Sequence, residues 1–318
     1  MSLIRKTKNA DSILANGACQ TAEHGKTDYI LIGINRICDN DCLFCTDNES
    51  HPELNTDANG VIKRIDSLNI KKYRTIILSG GEPAEQEGIS GIISHLTREG
   101  HTVQIITNAR KFSDNIFSKN VADSGLKTAI TEIHSSIPEV HDYITQRPGS
   151  FNETVLGIRN LINLNVNVQI KIILNRINYK TLPQIIKYIC RTFPESKINI
   201  TTTNISGNAL KNKELLAVRF SEAAEYIEKG INVANRFNAR VSISCLPLCV
   251  LRPQYRTYIL SNVQYQYLDV GSDKMHTPKR HFAPSCERCI DSCRCMGFWR
   301  SYLDLFGESE IPPIFAKD

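Results

Sequence analysis

The chain has 318 residues, 41% of them hydrophobic and 22% charged, with a formal net charge of +5. That length fits one large domain, or a domain with a small appendage, of ordinary globular composition. The positive charge is mild and scattered, so nucleic-acid binding is not indicated, and no apolar run reaches the ~20 residues of a membrane span.

Residues 1–27 are polar, lack clear periodicity and read as a mobile or loosely docked lead-in. The opening MSLIRKTKNADS has no apolar core of a secretory signal. Eleven cysteines without an export signal point to metal ligation rather than disulfides, and to the cytoplasm, where thiols stay reduced. Tyr29 to Ile34 is an apolar run of strand length, as in a strand buried on both faces. Asn35 to Asp47 follows, reading NRICDNDCLFCTD, with Cys38, Cys42 and Cys45 spaced C-x3-C-x2-C. Its polar residues do not suit a buried strand or regular helix, whereas a tight loop can turn the thiols toward a common centre. Thiolates so placed suit an iron–sulfur cluster, with one iron left open. Zinc is the competing reading; it takes a fourth protein ligand, and His51 is the nearest in sequence.

From there strand-like and helix-like stretches alternate. Strands are expected at 75–78, 103–106, 129–133, 168–174 and 198–202, and helices at 60–68, 89–98, 112–120, 151–164, 182–191 and, long and amphipathic, 213–236. Alternation of this kind implies right-handed βαβ units and a parallel sheet. Six units are too few for a closed eight-fold barrel, so an open, partial (β/α)6 barrel over 28–238 is the expected α/β fold, with ligands beyond the carboxyl ends of its strands. Those ends carry Ser79-Gly80-Gly81-Glu82-Pro83, Thr107-Asn108, Glu132-Ile133-His134-Ser135, Asn175-Arg176-Ile177-Asn178 and Asn204-Ile205-Ser206-Gly207. Alternation puts Glu132 and His134 on one face, either to bind a ligand or to satisfy each other.

Residues 239–318 form a small cysteine-rich region. A short strand at 240–244 precedes Cys245 and Cys249; Val263, Tyr265 and Tyr267 alternate with glutamines as in a strand; Cys286, Cys289, Cys293 and Cys295 lie near the end. A zinc knuckle is one use of C-x2-C. Cys19 and Cys190 read as incidental, Cys190 as a small core residue.

The cysteine loop, with Phe44 before its third thiol and Gly80-Gly81-Glu82-Pro83 one βαβ unit later, resembles the radical S-adenosylmethionine (SAM) enzymes. The resemblance implies that Cys38, Cys42 and Cys45 hold a [4Fe–4S] cluster whose open iron takes the amino and carboxylate groups of SAM. An electron from the cluster then cleaves SAM to methionine and a 5′-deoxyadenosyl radical. It also implies that Gly80, Gly81 and Glu82 hold the SAM amino group, and that Phe44, Asn108, Ser135, Asn175 and Ser206 contribute to the cofactor site. The His141-Asp142 to Thr154 segment looks like the strand-four to helix-four connection of such enzymes, with Ser150 expected as a helix N-cap and Glu153 three residues on.

The run Cys286, Cys289, Cys295, Gly297 resembles the SPASM or twitch extension of the same enzymes. It implies an auxiliary [4Fe–4S] cluster, its fourth ligand from Cys249 or Cys245, with Cys293 an additional thiol that competes. The LPLCVL context and the closing Ile311-Pro312-Pro313-Ile314 resemble radical SAM maturases of His-Xaa-Ser peptide systems, which favours Cys249. The implied function is an oxidoreductase that cross-links, epimerises or oxidises a ribosomally made peptide, fed by a donor such as flavodoxin or ferredoxin. A small-molecule substrate (a sugar, nucleoside or antibiotic precursor) is the enzyme alternative, and a zinc-stabilised binding protein the alternative outside enzymes. Glu132, His134 and Cys245 are the catalytic candidates, Cys245 as hydrogen donor if it is not a ligand.

Overall fold

A computed structural model describes residues 28–46, 56–261, 266–269, 275–276, 280–308, 310 and 313–315. The expected lead-in, Cys19, His51, Val263, Tyr265 and the Ile311-Pro312 pair lie outside the described residues.

Strands and helices alternate as β1 (Tyr29–Gly33), α1 (Ala58–Asp66), β2 (Thr75–Ser79), α2 (Ile89–Arg98), β3 (Thr102–Ile106), α3 (Asn115–Asp123) and β4 (Leu126–Glu132). Then come α4 (Pro138–Thr145), α5 (Ser150–Asn163), β5 (Asn167–Leu174), α6 (Leu182–Thr192) and β6 (Lys197–Thr202). After α7 (Asn208–Lys211), α8 (Lys213–Leu216) and α9 (Phe220–Arg236), the chain adds β7 (Val241–Ser244), β8 (Gln266–Asp269), β9 (Met275–His276) and α10 (Arg300–Phe306). One sheet runs β7-β6-β5-β4-β3-β2-β1-β8-β9. Its neighbours are parallel except β8 and β9. This is the open α/β half-barrel the alternation implies. The C-terminal region is woven into it, since β7 extends one edge and β8 the other.

Helix burial follows the apolar spacing. On α6, Leu182, Ile185, Ile186 and Ile189 fall at i, i+3, i+4 and i+7 and are fully buried, as are Ala223, Ile227 and Ile231 of α9. Each such Ile or Leu contributes about 1.5–3 kcal/mol on leaving water. The first strand differs from the expectation of two buried faces: Ile30 and Ile32 are buried while Tyr29 and Leu31 stay half-exposed. On β5, Val168, Ile170, Ile172 and Leu174 are buried while Gln169, Lys171 and Ile173 stay half-exposed on the other face. With Thr128 and Glu132 of β4 they give the sheet an open, polar concave face.

Two expected elements are corrected. The long helix over 213–236 is broken, because Ala217 and Arg219 adopt extended backbone. The break lets Leu216 join a small second core with Phe44, Ile144, Ile205 and Ala209, while Phe220 enters the main one. Residues 138–145, read only as connection, form α4, with Pro138 in its first turn and His141 and Ile144 buried.

Candidate active site

The cysteine loop crosses the carboxyl end of the sheet and is pinned from several elements. Asp41 and Leu43 donate backbone N–H to the carbonyls of Thr145 (3.1 Å) and Ile144 (2.9 Å) at the end of α4. The Cys45 carbonyl accepts from Asn208 N (2.8 Å), and the Leu43 carbonyl from Asn212 Nδ2 (3.2 Å). Gly207 makes this approach possible: its φ is +57°, and a Cβ there would lie 2.6 Å from the Thr46 carbonyl oxygen. Phe44 is buried in the second core, its ring 4.6 Å from that of His134, so it anchors the loop.

The three thiols feel one another and the neighbouring carboxylates. Burial, then the charges of Glu82, Asp39 and Cys45, push Cys38 up to about 12. Burial, then Glu132 and Asp41, push Cys45 to about 11, and burial followed by Glu132, Cys38 and Cys45 raises Cys42 well above its ordinary value. Without a metal these are neutral thiols. A bound cation must displace their protons, so loading is coupled to pH.

Gly80 and Gly81 seat the loop on β2. A Cβ on Gly80 would meet the Asn35 carbonyl oxygen at 2.4 Å, and one on Gly81 the Ile37 carbonyl oxygen at 2.2 Å. Asn35 Nδ2 donates to the Glu82 carbonyl (2.9 Å), while Asn35 Oδ1 is buried with no partner among the described residues. Glu82 is 2% exposed and accepts from Ala84 N (2.9 Å), Thr107 Oγ1 (2.6 Å) and Asn108 N (2.7 Å). Burial outweighs these hydrogen bonds and raises its carboxyl to about 7. A carboxylate has about four lone-pair sites, so three donors leave little more than charge and one site for a ligand.

A buried cation that sequence reasoning missed holds the loop from β3. Arg110, 7% exposed, donates through Nη1 to the Asp39 carbonyl (2.7 Å) and Asn40 Oδ1 (3.0 Å), and through Nε to Glu153 of α5 (2.6 Å). It also pairs with Asp39 Oδ2 at 2.7 Å. Asn108 adds a bond from Nδ2 to Asp39 Oδ1 (2.6 Å).

The remaining predicted polar residues each make a hydrogen bond within their own turn. Asn175, 0% exposed, accepts from Ile177 N (2.9 Å) and donates to the Ile173 carbonyl (3.2 Å). Ser135 Oγ accepts from Ile137 N (3.0 Å), and Ser206 Oγ from Asn204 Nδ2 (3.3 Å). Glu132 and His134 do share a face, with Nε2 to Oε2 3.7 Å, and Glu132 faces Lys171 at 3.4 Å across β4 and β5. His134, however, is 1% exposed between the rings of Phe44 and His141. Burial, then Lys171, lowers it to about 3, which makes it a neutral packing group.

Ser150 is corrected as a cap. It is the first residue of α5, behind Gly149, and the cap is Asp142, which accepts from Gly149 N (2.6 Å), Phe151 N (2.8 Å) and Ser150 Oγ (2.8 Å). Glu153 turns to Arg110 instead of closing a capping box.

At the C-terminal region Cys249, Cys286, Cys289 and Cys295 line one cavity, walled by Pro247, Phe282, Phe298 and Ile314. Burial, then the charges of Cys295, Cys286 and Cys289, push Cys249 up to about 12. Gly297 N points at the Cys295 sulfur at 3.4 Å. Cys293 is exposed, and Cys245 instead receives Arg280 Nη2 at 2.9 Å. None of the ten cysteines among the described residues is in a disulfide. Among those residues no group of three or more Cys, His, Asp or Glu is arranged to hold a metal ion as it stands, and no helix is long and apolar enough to cross a membrane.

Three thiols in one loop at the carboxyl ends of an open parallel half-barrel, beside a buried carboxylate and an unpaired amide oxygen, are a donor set that fits an iron–sulfur cluster with a cationic organic partner. Residues 32–189 match the radical SAM superfamily. The chain is a radical SAM superfamily enzyme, not a zinc-stabilised binding protein. The cofactors are therefore a [4Fe–4S] cluster and SAM, and the cysteine-rich C-terminus fits an auxiliary cluster.

The chain is 26% identical over 212 residues to the GTP 3′,8-cyclase of Clostridium perfringens (strain 13 / Type A), covering 64% of this chain and 62% of that protein. It thus spans less than two-thirds of that curated relative. Streptococcus suis SuiB bound to S-adenosylmethionine superposes with a TM-score of 0.62 at 12% identity, covering 92% of this chain and 76% of SuiB. SuiB bound to its precursor peptide SuiA gives 0.62 at 11% identity, over 92% and 75%. The anSMEcpe structure with bound AdoMet and Kp18Cys peptide gives 0.53 at 14%, over 68% and 63%. At these identities the structural likeness speaks for the fold.

Proposed function

We propose that this enzyme is an oxidoreductase that modifies a ribosomally made peptide by cross-linking, epimerisation or oxidation. The observation that carries the reading is the second thiol set: Cys249, Cys286, Cys289 and Cys295 lining one cavity apart from the loop of Cys38, Cys42 and Cys45. Four thiolates in an apolar shell suit an auxiliary [4Fe–4S] cluster, with residues 28–238 serving as the barrel and 239–318 as its auxiliary region. Cys38, Cys42 and Cys45 would hold the first cluster, which would supply the electron for reductive SAM cleavage and so the radical chemistry that removes a substrate hydrogen.

The chain's own residues hold and orient. Arg110 and Asn108 fix Asp39 and with it the loop. Glu82 and Asn35 Oδ1 offer charge and an acceptor to the SAM ammonium. Glu132 and Lys171 present opposite charges on the concave face to polar groups of the substrate. Cys245, outside the four-thiol cavity, is left as the hydrogen-donor candidate. SuiB binds a precursor peptide and anSMEcpe a peptide on a similar fold, which supports a peptide substrate. A flavodoxin or ferredoxin in the cytoplasm is the donor and setting we assign.

The similarity to a GTP 3′,8-cyclase favours a second reading, a nucleoside-type small molecule. The two are separated by incubating reconstituted enzyme with deuterated candidate peptides and, separately, deuterated nucleotides. Deuterium appearing in 5′-deoxyadenosine from peptide supports the first reading; deuterium only from nucleotide overturns it.

A further inference from the structure

Beside Cys245 lies a cation that no carboxylate among the described residues neutralises. Arg280 donates through Nη2 to the Cys245 sulfur at 2.9 Å, and its guanidinium carbon lies 3.5 Å from the centre of the Trp299 ring. An antiparallel bridge between His281 and Phe298, with N–H···O distances of 3.0 and 2.8 Å, holds residues 280 and 299 side by side. Two buried donors here have no partner among the described residues: Arg280 Nη1 and Trp299 Nε1. Among the described residues no carboxylate pairs with Arg280.

The place is where ligands of parallel half-barrels sit. Cys245 follows β7, and its carbonyl accepts from Thr202 Oγ1 at the end of β6 (2.6 Å). Two residues beyond Trp299, the Ser301 hydroxyl accepts from Ile205 N (3.2 Å) in the loop that follows β6. A buried donor left unmade costs about 1–3 kcal/mol, more when charged, so both call for an acceptor that the described residues do not supply. One positive charge and two open donor atoms match a carboxylate. A phosphate, with a charge of about −1.5 to −2 and three acceptor oxygens, would be under-served.

We propose that Arg280 and Trp299 bind a carboxylate group of the substrate next to the Cys245 thiol. The site stands on the geometry; that the carboxylate is the substrate's rests on the reading above.

Trp299 is the chain's single tryptophan, so its fluorescence reports this place alone. Holoenzyme is titrated with N-acetylglycine, with N-acetylglycinamide as the neutral control and with inorganic phosphate, at constant ionic strength. The expected result is a saturable change with N-acetylglycine only, weakened at least about tenfold in Arg280→Gln and kept in Arg300→Gln, an exposed arginine paired with Asp304. An equal response to the amide, a saturable response to phosphate alone, or an unchanged response in Arg280→Gln overturns the proposal. Should Arg280→Gln fail to fold, alkylation of Cys245 in the wild-type holoenzyme decides: N-acetylglycine slows it several-fold and the amide does not, and absence of protection overturns the site. No arm requires turnover, so a failed site leaves the peptide reading to the deuterium experiment.

Discussion

The two cysteine regions are built on opposite plans. The N-terminal loop gathers three thiols within a short stretch, and polar groups from β2, β3, α4 and α7 hold its backbone. Carboxylates of Glu82 and Glu132 bear on its thiols. The C-terminal set draws four thiols from distant positions into a cavity walled by proline, phenylalanine and isoleucine. A three-thiol, negatively surrounded loop leaves a coordination position and a welcoming field for a cationic partner. Four thiols in an apolar pocket would close the coordination sphere of a cluster held there, and the hydrophobic shell would govern its solvent access and potential. On the function proposed above, the first region would receive a ligand and the second would hold a cluster with no open position.

The largest effect that sharpens this contrast comes from removing thiols. Iron should number about eight per reconstituted chain and fall to about four in Cys38→Ala/Cys42→Ala/Cys45→Ala, with SAM cleavage abolished. Cys249→Ala should lose the other cluster while SAM cleavage persists, and Cys293→Ala should keep both. Equal iron loss from Cys293→Ala and Cys249→Ala would reassign the fourth ligand. Iron and sulfide assays with SAM-cleavage rates decide it.

Acid should distinguish the regions next. His134 and His141 are both lowered to about 3, first by burial, so they fold as neutral rings. Their contribution is present above the ordinary histidine value and is lost as pH falls toward 3. Glu82, raised to about 7, acts oppositely: its contribution is present below the ordinary carboxyl value and lost as pH rises through 7. The two histidines outweigh Glu82, so acidification is destabilising, on the order of 1–2 kcal/mol between pH 7 and 5. All three groups lie around the N-terminal loop. Chelator-accessible iron at pH 5 should therefore come first from that cluster, and His134→Phe should flatten the fall of the urea midpoint with pH. A midpoint unchanged from pH 7 to 5 would contradict this account.

What the sequence displayed of these regions was periodicity and short-range spacing. The half-barrel, the shared face of Glu132 and His134, and the cysteine loop are all products of local pattern. Arg110 was invisible because its partners are Asp39, Asn40 and Glu153, far along the chain and brought together only by the sheet. Asn175 and Ser135 read as ligand contacts because a turn-forming Asn or Ser and a ligand-binding one share the same letter and the same strand-end position. In the fold each also holds its own turn, Ser135 accepting from Ile137 N and Asn175 from Ile177 N. The helix expected over 213–236 breaks because Leu216 and Phe220 serve different cores, which a single amphipathic stripe does not reveal.

The smallest predicted effect tests whether the α4–α5 corner supports one region alone. Asp142 caps α5 while α4, which carries it, ends in the Ile144 and Thr145 carbonyls that hold the cysteine loop. Burial opposes ionisation, but hydrogen bonds from Phe151, Ser150 and Gly149 keep its carboxyl below the usual range, so it acts as a charged cap. Asp142→Ala should cost about 1–2 kcal/mol by urea unfolding, whereas Ser150→Ala, which removes one buried hydroxyl, should cost about 1 kcal/mol. Iron retention in the N-terminal loop should fall in Asp142→Ala while the C-terminal set keeps its own. The reverse order of the two variants would restore Ser150 as the cap. Equal iron loss at both sites would mean that the corner steadies the whole sheet, not the loop, and the two regions would no longer count as separately supported.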